Sequence, residues 1–291
     1  MTLRSKRLAL VALSILVLAG AGYAQRRGGR GGGGFGGGFG ARNDDDEQHP
    51  QFQERGEFHF VRGEYTDLPQ YHRGFGFASR DASGSGWWLV DWPDADEHFS
   101  VGIGRLTRID VAAPVHMRLT DDKLFDNPWI YITQAGWWNL SDAEILRLRE
   151  YLTRGGFLMT DDFWGPDTEE WQIFSGAMHR AFPGRAISDI SENDPAMHVL
   201  YDIREKDRTF IPGSRHLRRT ASGQYGVQQP FGTTPAWRAL YDDKNRMIVA
   251  ANYNTDIGDA WEWADSPIYP EQMTALAYRY GINYIIYAMT H

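Results

Sequence analysis

Gly155-Gly156-Phe157-Leu158-Met159-Thr160-Asp161-Asp162-Phe163-Trp164-Gly165 is the stretch from which the fold is read. Two glycines close a helical pattern, a short apolar run follows, and the run ends in two adjacent carboxylates. A short apolar run bounded by turn signals reads as a buried strand. In an open parallel α/β sheet, ligand sites lie just beyond the carboxyl ends of the strands. The segment therefore predicts both an architecture and a place to look for chemistry.

The pattern holds on either side. Trp129-Ile130-Tyr131-Ile132-Thr133 reads as another buried strand, and Ser141-Asp142-Ala143-Glu144 as a capping box. Ile145, Leu148 and Leu152 then mark one apolar helical face, with Arg147, Arg149 and Glu150 left for the wet face and Gly155 in the C′ role. Strand, helix, strand over this length requires parallel strands and a right-handed crossover. Downstream, a helix is expected over 168–181 with Trp171, Phe174 and Met178 on one face, and Pro183-Gly184 stops it. Strands are expected over 186–190 and 247–252, with an excursion of no clean period over 203–236. A closing helix over 271–289 carries Met273, Leu276, Tyr280, Tyr284 and Tyr287 at spacings of three or four. Upstream, strands are expected over 58–61 and 115–119, a long loop over 67–90, and a helix over 94–109 with Phe99, Ile103 and Leu106. Alternating strands and helices imply a helix–sheet–helix sandwich, one α/β domain over 57–291.

The first 56 residues read differently. Arg4, Lys6 and Arg7 precede an apolar run from Leu8 to Leu18, and Gly22-Tyr23-Ala24 fits a small-x-small cleavage site. This is a secretory signal peptide over 1–24. An uncleaved anchor is the alternative, but a span needs ~20 apolar residues. No stable membrane span is expected after cleavage. Residues 25–56 form a glycine-rich and acidic linker, with composition too polar and flexible to pack. Removing the three basic residues of the leader from a chain of net charge −8 leaves −11, a poor match for nucleic acid. The chain has no cysteine, so disulfides, thiolate nucleophiles and a lipoprotein anchor are all excluded. A secreted or periplasmic location is expected.

The run Trp137-Trp138, Leu140-Ser141, Leu148-Arg149-Glu150-Tyr151-Leu152 and Gly155 to Asp162, with the ending Gly281-Ile282-Asn283-Tyr284 and Tyr287-Ala288-Met289-Thr290, resembles domain-of-unknown-function family 4159. The resemblance implies a three-layer, flavodoxin-like sandwich with a mainly parallel sheet, similar to class I glutamine amidotransferases. It implies no established activity. In those enzymes the nucleophilic cysteine sits on an elbow after a central strand. The matching position here falls near Asp161 or Asp162, and thiol chemistry is excluded.

The candidate ligand-binding residues are Asp161, Asp162, Gln134, Trp137, Trp138, Trp164, Asn254 and Asp256, all placed at the tips of predicted strands. A strand-end carboxylate can bind a metal or serve as a general base; it can equally cap a turn or pair with an arginine. Indole faces beside carboxylates and an amide suit a sugar, while tryptophans also fill space beneath loops. Asn252, Asn254 and Asp256 suit the same edge or an ordinary turn, and Asp259 or Glu262 is expected to approach. The nine histidines show no metal-ligand spacing, and neither a nucleophile elbow with serine nor a phosphate loop is present. No metal site and no cofactor is assigned. Two functions follow. One is a non-catalytic binding module of the cell envelope, with a glycan or an envelope protein as partner. The other is an envelope hydrolase acting on a glycan or amide through strand-end carboxylates, with or without a divalent metal. Whether the protein is an enzyme stays open at this point.

Overall fold

The computed structural model describes residues 50–69, 86–166, 169–230 and 232–291. The expected signal peptide, nearly all of the linker, and most of the loop expected over 67–90 lie outside the described residues.

The core is a seven-stranded sheet of β1 (Val61–Glu64), β2 (Val115–Arg118), β3 (Trp129–Thr133), β4 (Phe157–Asp161), β5 (Ser188–Asp189), β8 (Ala236–Tyr241) and β9 (Met247–Tyr253). The spatial order is β2-β1-β3-β4-β9-β8-β5. The first five strands in this order run parallel, and β8 runs antiparallel to both of its neighbours. β3 and β4 lie side by side in register from Trp129 opposite Phe157 to Thr133 opposite Asp161. A separate hairpin joins β6 (Leu217–Arg219) and β7 (Tyr225–Val227).

Alternation along the strands divides the core into two. Trp129, Tyr131, Phe157, Met159 and Ala250 face α1 (Asp94–Leu106), α4 (Ile257–Glu262) and α5 (Glu271–Thr290). Ile130, Ile132, Leu158, Val249 and Ala251 face α2 (Asp142–Thr153) and α3 (Glu169–Ala181). Both faces of the central strands are therefore dry, which is why they read as continuous apolar runs. The result is a three-layer α/β sandwich, as expected.

The crossover from β3 to β4 forms as its residues dictate. Ser141 Oγ accepts from the Glu144 amide at 3.3 Å, and Glu144 Oε2 accepts from the Ser141 amide at 2.7 Å. Leu148 and Leu152 are buried, and Gly155 turns the chain at φ 113°, where a side chain would be strained.

Several boundaries differ from expectation. The first ladder starts at Val61, not Phe58. Phe58 and Phe60 are buried beside Trp129, but pairing with β2 begins only at Val61 opposite Val115. The polar letters Arg62-Gly63-Glu64 hide that strand; Arg62 is tolerated there because Asp96 pairs with it out of water. α1 stops at Leu106 rather than at residue 109. The Thr107 hydroxyl donates to the Ile103 carbonyl at 2.7 Å and accepts from the Ile109 amide at 3.1 Å, turning the chain out of the helix. The strand expected over 186–190 is reduced to the two paired residues of β5. The excursion over 203–236 contains the β6–β7 hairpin and gives way at its last residue to β8.

Candidate functional site

The parallel strands β3, β4 and β9 end on one edge, and the chain leaves each tip through a left-handed residue: Gln134 (φ 55°), Asp162 (φ 51°) and Asn254 (φ 57°). A fourth, Asp91 (φ 65°), comes just before α1. Side chains in this region cost about 1–2 kcal/mol each, so surrounding contacts must hold them there. The main chain supplies those contacts at the three tips. The Gln134 amide donates to Asp161 O (3.1 Å), the Asp162 amide to Thr255 O (2.9 Å) and the Asn254 amide to Phe163 O (3.1 Å).

Asp161 points from the β4 tip toward α4. Its Oδ1 accepts from the Tyr131 hydroxyl at 2.6 Å, and its Oδ2 accepts from the Ile257 and Gly258 amides at 2.5 and 3.0 Å. These amides open α4, so Asp161 satisfies helix donors that no intrahelical carbonyl can reach. Burial pushes its carboxyl up to about 7, against the downward pull of Tyr131.

Asp162 turns the other way and is equally buried. Its carboxylate accepts from Gln134 Nε2, from Trp164 Nε1 at 2.5 Å and from Arg215 Nη2 at 2.8 Å. The Arg215 guanidinium lies 5.0 Å above the Trp164 ring, which closes a compact carboxylate–indole–guanidinium group. Burial raises the Asp162 carboxyl, and Arg215 opposes that shift.

More carboxylates gather beside this pair. Asp256 caps α4 by accepting from the Asp259 amide at 2.9 Å. Asp259 Oδ2 accepts from the Ser214 amide at 2.8 Å. Asp91 joins them from the segment before α1. The segment before it is held by Arg62, which donates to the Val90 carbonyl at 2.9 Å, and the Asp91 carbonyl accepts from the Ala95 amide at 3.0 Å. One oxygen each from Asp91, Asp162 and Asp256 lie within 4.8 Å of one another, and so do oxygens from Asp91, Asp259 and Glu262. Burial first, and neighbouring carboxylates next, hold Asp91 and Asp256 well above the ordinary carboxylate range.

The structure thus brings together Asp161, Asp162, Gln134, Trp164 and Asp256 from the expected residues. Asn254 staples the neighbouring loop: its Nδ2 donates to Gly165 O (3.1 Å) and Thr234 O (2.8 Å), and its Oδ1 accepts from the Gly165 amide (2.8 Å). Trp138 is a core residue, stacked 5.5 Å from Phe174 with its Nε1 bonded to the Ile173 carbonyl. Trp137 is half-buried and stacks on Trp87 at 5.2 Å. Next to Asn254 opens a cleft of about 690 Å³ lined by Gly165, Asp189, Arg208, Trp237 and Arg238. Arg238 pairs with Asp189 at 3.3 Å and lies 4.2 Å over the Trp171 ring. Two enclosed donors in its wall, Arg208 Nε and Trp237 Nε1, have no partner.

Asp91, Arg215 and the cleft residues escaped the sequence reading. Asp91 fell at the seam between an expected loop and an expected helix, and Arg215 fell in the excursion without a period. The one usable signal for Arg215 was chemical: buried carboxylates require a counterion, and Arg215, Arg218 and Arg219 form the basic cluster of that excursion.

Among the described residues, no helix is long and apolar enough to cross a membrane. No curated protein matches the chain. The family model described as "Domain of unknown function (DUF4159)" matches residues 77–289, most of the sequence. The stretch that builds the β3–α2–β4 crossover and its two tip carboxylates lies inside that match, and the chain belongs to this family.

Proposed function

We propose that the chain is an exported, non-catalytic binding module of the cell envelope, tethered by its glycine-rich leader, that takes a polar ligand of the glycan type or the surface of an envelope protein. The observation that carries this reading is the state of Asp161 and Asp162. Both are buried, and every oxygen is engaged by fixed donors: a tyrosine and two helix amides for the first, an amide, an indole and a guanidinium for the second. A general base or nucleophile must reach the reacting atom, and these two carboxylates are instead committed to holding the edge together. The resemblance to class I glutamine amidotransferases puts the elbow near Asp161 or Asp162, and the left-handed turn at Asp162 supports a related fold put to a different use.

The cleft beside Asn254 supports the ligand class. Asp189 offers acceptors, and Arg238 spreads a flat guanidinium over Trp171. Hydroxyl-rich ligands match such a mixture of donors, acceptors and flat faces. The test is a thermal-shift screen with envelope glycan fragments, run beside a turnover assay on the same fragments. The expected result is a saturable rise in Tm, lost in Arg238→Ala, with no product formed. Turnover that Asp162→Asn abolishes overturns the reading.

A further inference from the structure

A second location on the same edge goes beyond this reading and turns on Asp91, which that reading does not use. Asp91, Asp162, Asp256, Asp259 and Glu262 converge from three separate segments of the chain, and Arg215 pairs with Asp162. Most of these carboxylates have identified donors: Asp162 has three, Asp256 caps α4, and Asp259 accepts from Ser214. Asp91 differs. Its Oδ2 is wholly enclosed and meets no donor at all. An ionised oxygen with neither water nor a donor is strongly disfavoured inside a protein. It requires a proton or a cation.

The geometry fits a cation. The two triads share Asp91, and within each the oxygens lie no more than 4.8 Å apart. Oxygens that coordinate a common Ca²⁺ sit about 2.3–2.6 Å from it, and those around Mg²⁺ about 2.0–2.1 Å, so ligand pairs fall within about 5 Å of each other. Two glycines lie directly against the group. A Cβ on Gly258 would lie 2.7 Å from Asp91 Oδ2 and 2.6 Å from the Tyr131 hydroxyl, and one on Gly213 would lie 2.5 Å from Asp256 Oδ2. Any side chain at either position would press on the carboxylates. The ligand set is all oxygen. The nearby His216 is used locally, its Nδ1 accepting from the Gly213 amide at 3.0 Å. Hard oxygen donors select Ca²⁺, Mg²⁺ or Mn²⁺ over softer metals.

We propose that Asp91, with Asp256 on one side and Asp259 and Glu262 on the other, forms a divalent-cation site of the Ca²⁺/Mg²⁺ class, beside the carboxylate of Asp162, which keeps its own donors. The cation neutralises the convergent carboxylates and ties the segment before α1 to the start of α4. The full chain, stripped with EDTA and dialysed near neutral pH, is titrated with CaCl₂, MgCl₂ and MnCl₂ by calorimetry and by thermal melting. At least one ion is expected to bind saturably and raise Tm. Asp91→Asn and Asp259→Asn should each weaken that ion by about tenfold or more, since affinity follows ligand charge. Asp122→Asn, whose side chain is 97% exposed and pairs with Arg147 on α2, should leave it unchanged. In EDTA, Asp91→Asn should melt at or above wild type, because Asp91 Oδ2 has no protein donor to lose; this separates loss of the site from loss of the fold. Absence of heat and of any Tm change with all three ions at millimolar concentration overturns the proposal, as does full cation response in Asp91→Asn. Glycan binding that persists in EDTA leaves the binding-module reading standing whichever way the cation result falls.

Discussion

Replacing Asp161 is the sharpest test of what the strand-tip carboxylates are for. In Asp161→Ala three buried donors lose their acceptor together: the Tyr131 hydroxyl and the amides of Ile257 and Gly258. Each unsatisfied buried donor costs about 1–3 kcal/mol. Part of this is offset, because the carboxylate is itself costly to bury and a water can enter the vacated space. A net loss of about 3–5 kcal/mol is expected, a large share of the ~5–15 kcal/mol that holds a domain folded. Asp161→Asn should behave differently. Its oxygen can accept from both amides, and its NH₂ can donate to the Tyr131 oxygen once that hydroxyl rotates. What remains lost is the negative charge facing the start of α4, worth about 0.3–1 kcal/mol. Urea denaturation followed by tryptophan fluorescence measures both, with a shift in midpoint at constant m reporting stability alone. The buried Trp261 within α4 lies close to the change. A catalytic carboxylate held in readiness behaves in the opposite sense, since removing strained active-site charge commonly stabilises the fold. If Asp161→Ala costs less than about 1 kcal/mol, or Asn costs as much as Ala, the carboxylate is not the structural brace described here.

Two further outcomes follow from buried charge elsewhere. Asp96→Ala should lose about 3–5 kcal/mol, because Arg62 would be left charged and out of water, whereas the double change Arg62→Met with Asp96→Leu should cost much less; equal losses in denaturant melts would contradict this. Glu170 accepts from the Trp164 amide at 2.7 Å, and burial pushes its carboxyl up to about 7. Between its unfolded value near ~4.3 and that point the native state holds the proton and the unfolded state does not, so this group's contribution to stability is lost as pH rises. Glu170→Gln should therefore match wild type in acid and melt higher above neutral pH; parallel Tm–pH curves would dismiss the assignment.

The architecture was legible because burial writes a period into the chain. Trp129–Thr133 and Phe157–Asp161 are apolar on both faces, and their bounds and mutual pairing came out as read. The Ser141 capping box and the Gly155 stop bracket a helix that no other reading accommodates. Where polarity enters a strand, the signal fails. Arg62 sits in β1 and looks like a surface letter until Asp96 is placed against it, a partner 34 residues away. β8 runs antiparallel beside an otherwise parallel set and mixes buried with half-exposed positions, so it carries neither clear period.

The site was legible only as a place. Strand tips converge by topology, and an Asp-Asp pair at a tip marks that convergence, but nothing in the pair says which carboxylate is a brace and which is a ligand. The φ of 51° at Asp162 decides the first step, since it turns two adjacent side chains onto different partners. Counting donors decides the rest. Asp161 has three, Asp162 has three, and Asp91 Oδ2 has none. These carboxylates share one residue type and one sheet edge, yet they stand in different states of satisfaction. An oxygen already surrounded by N–H and O–H groups gains little from a cation and would have to give those bonds up. An enclosed oxygen without them has everything to gain. The residue with the weakest claim from sequence, Asp91 at the seam of a loop and a helix, therefore has the strongest claim from structure.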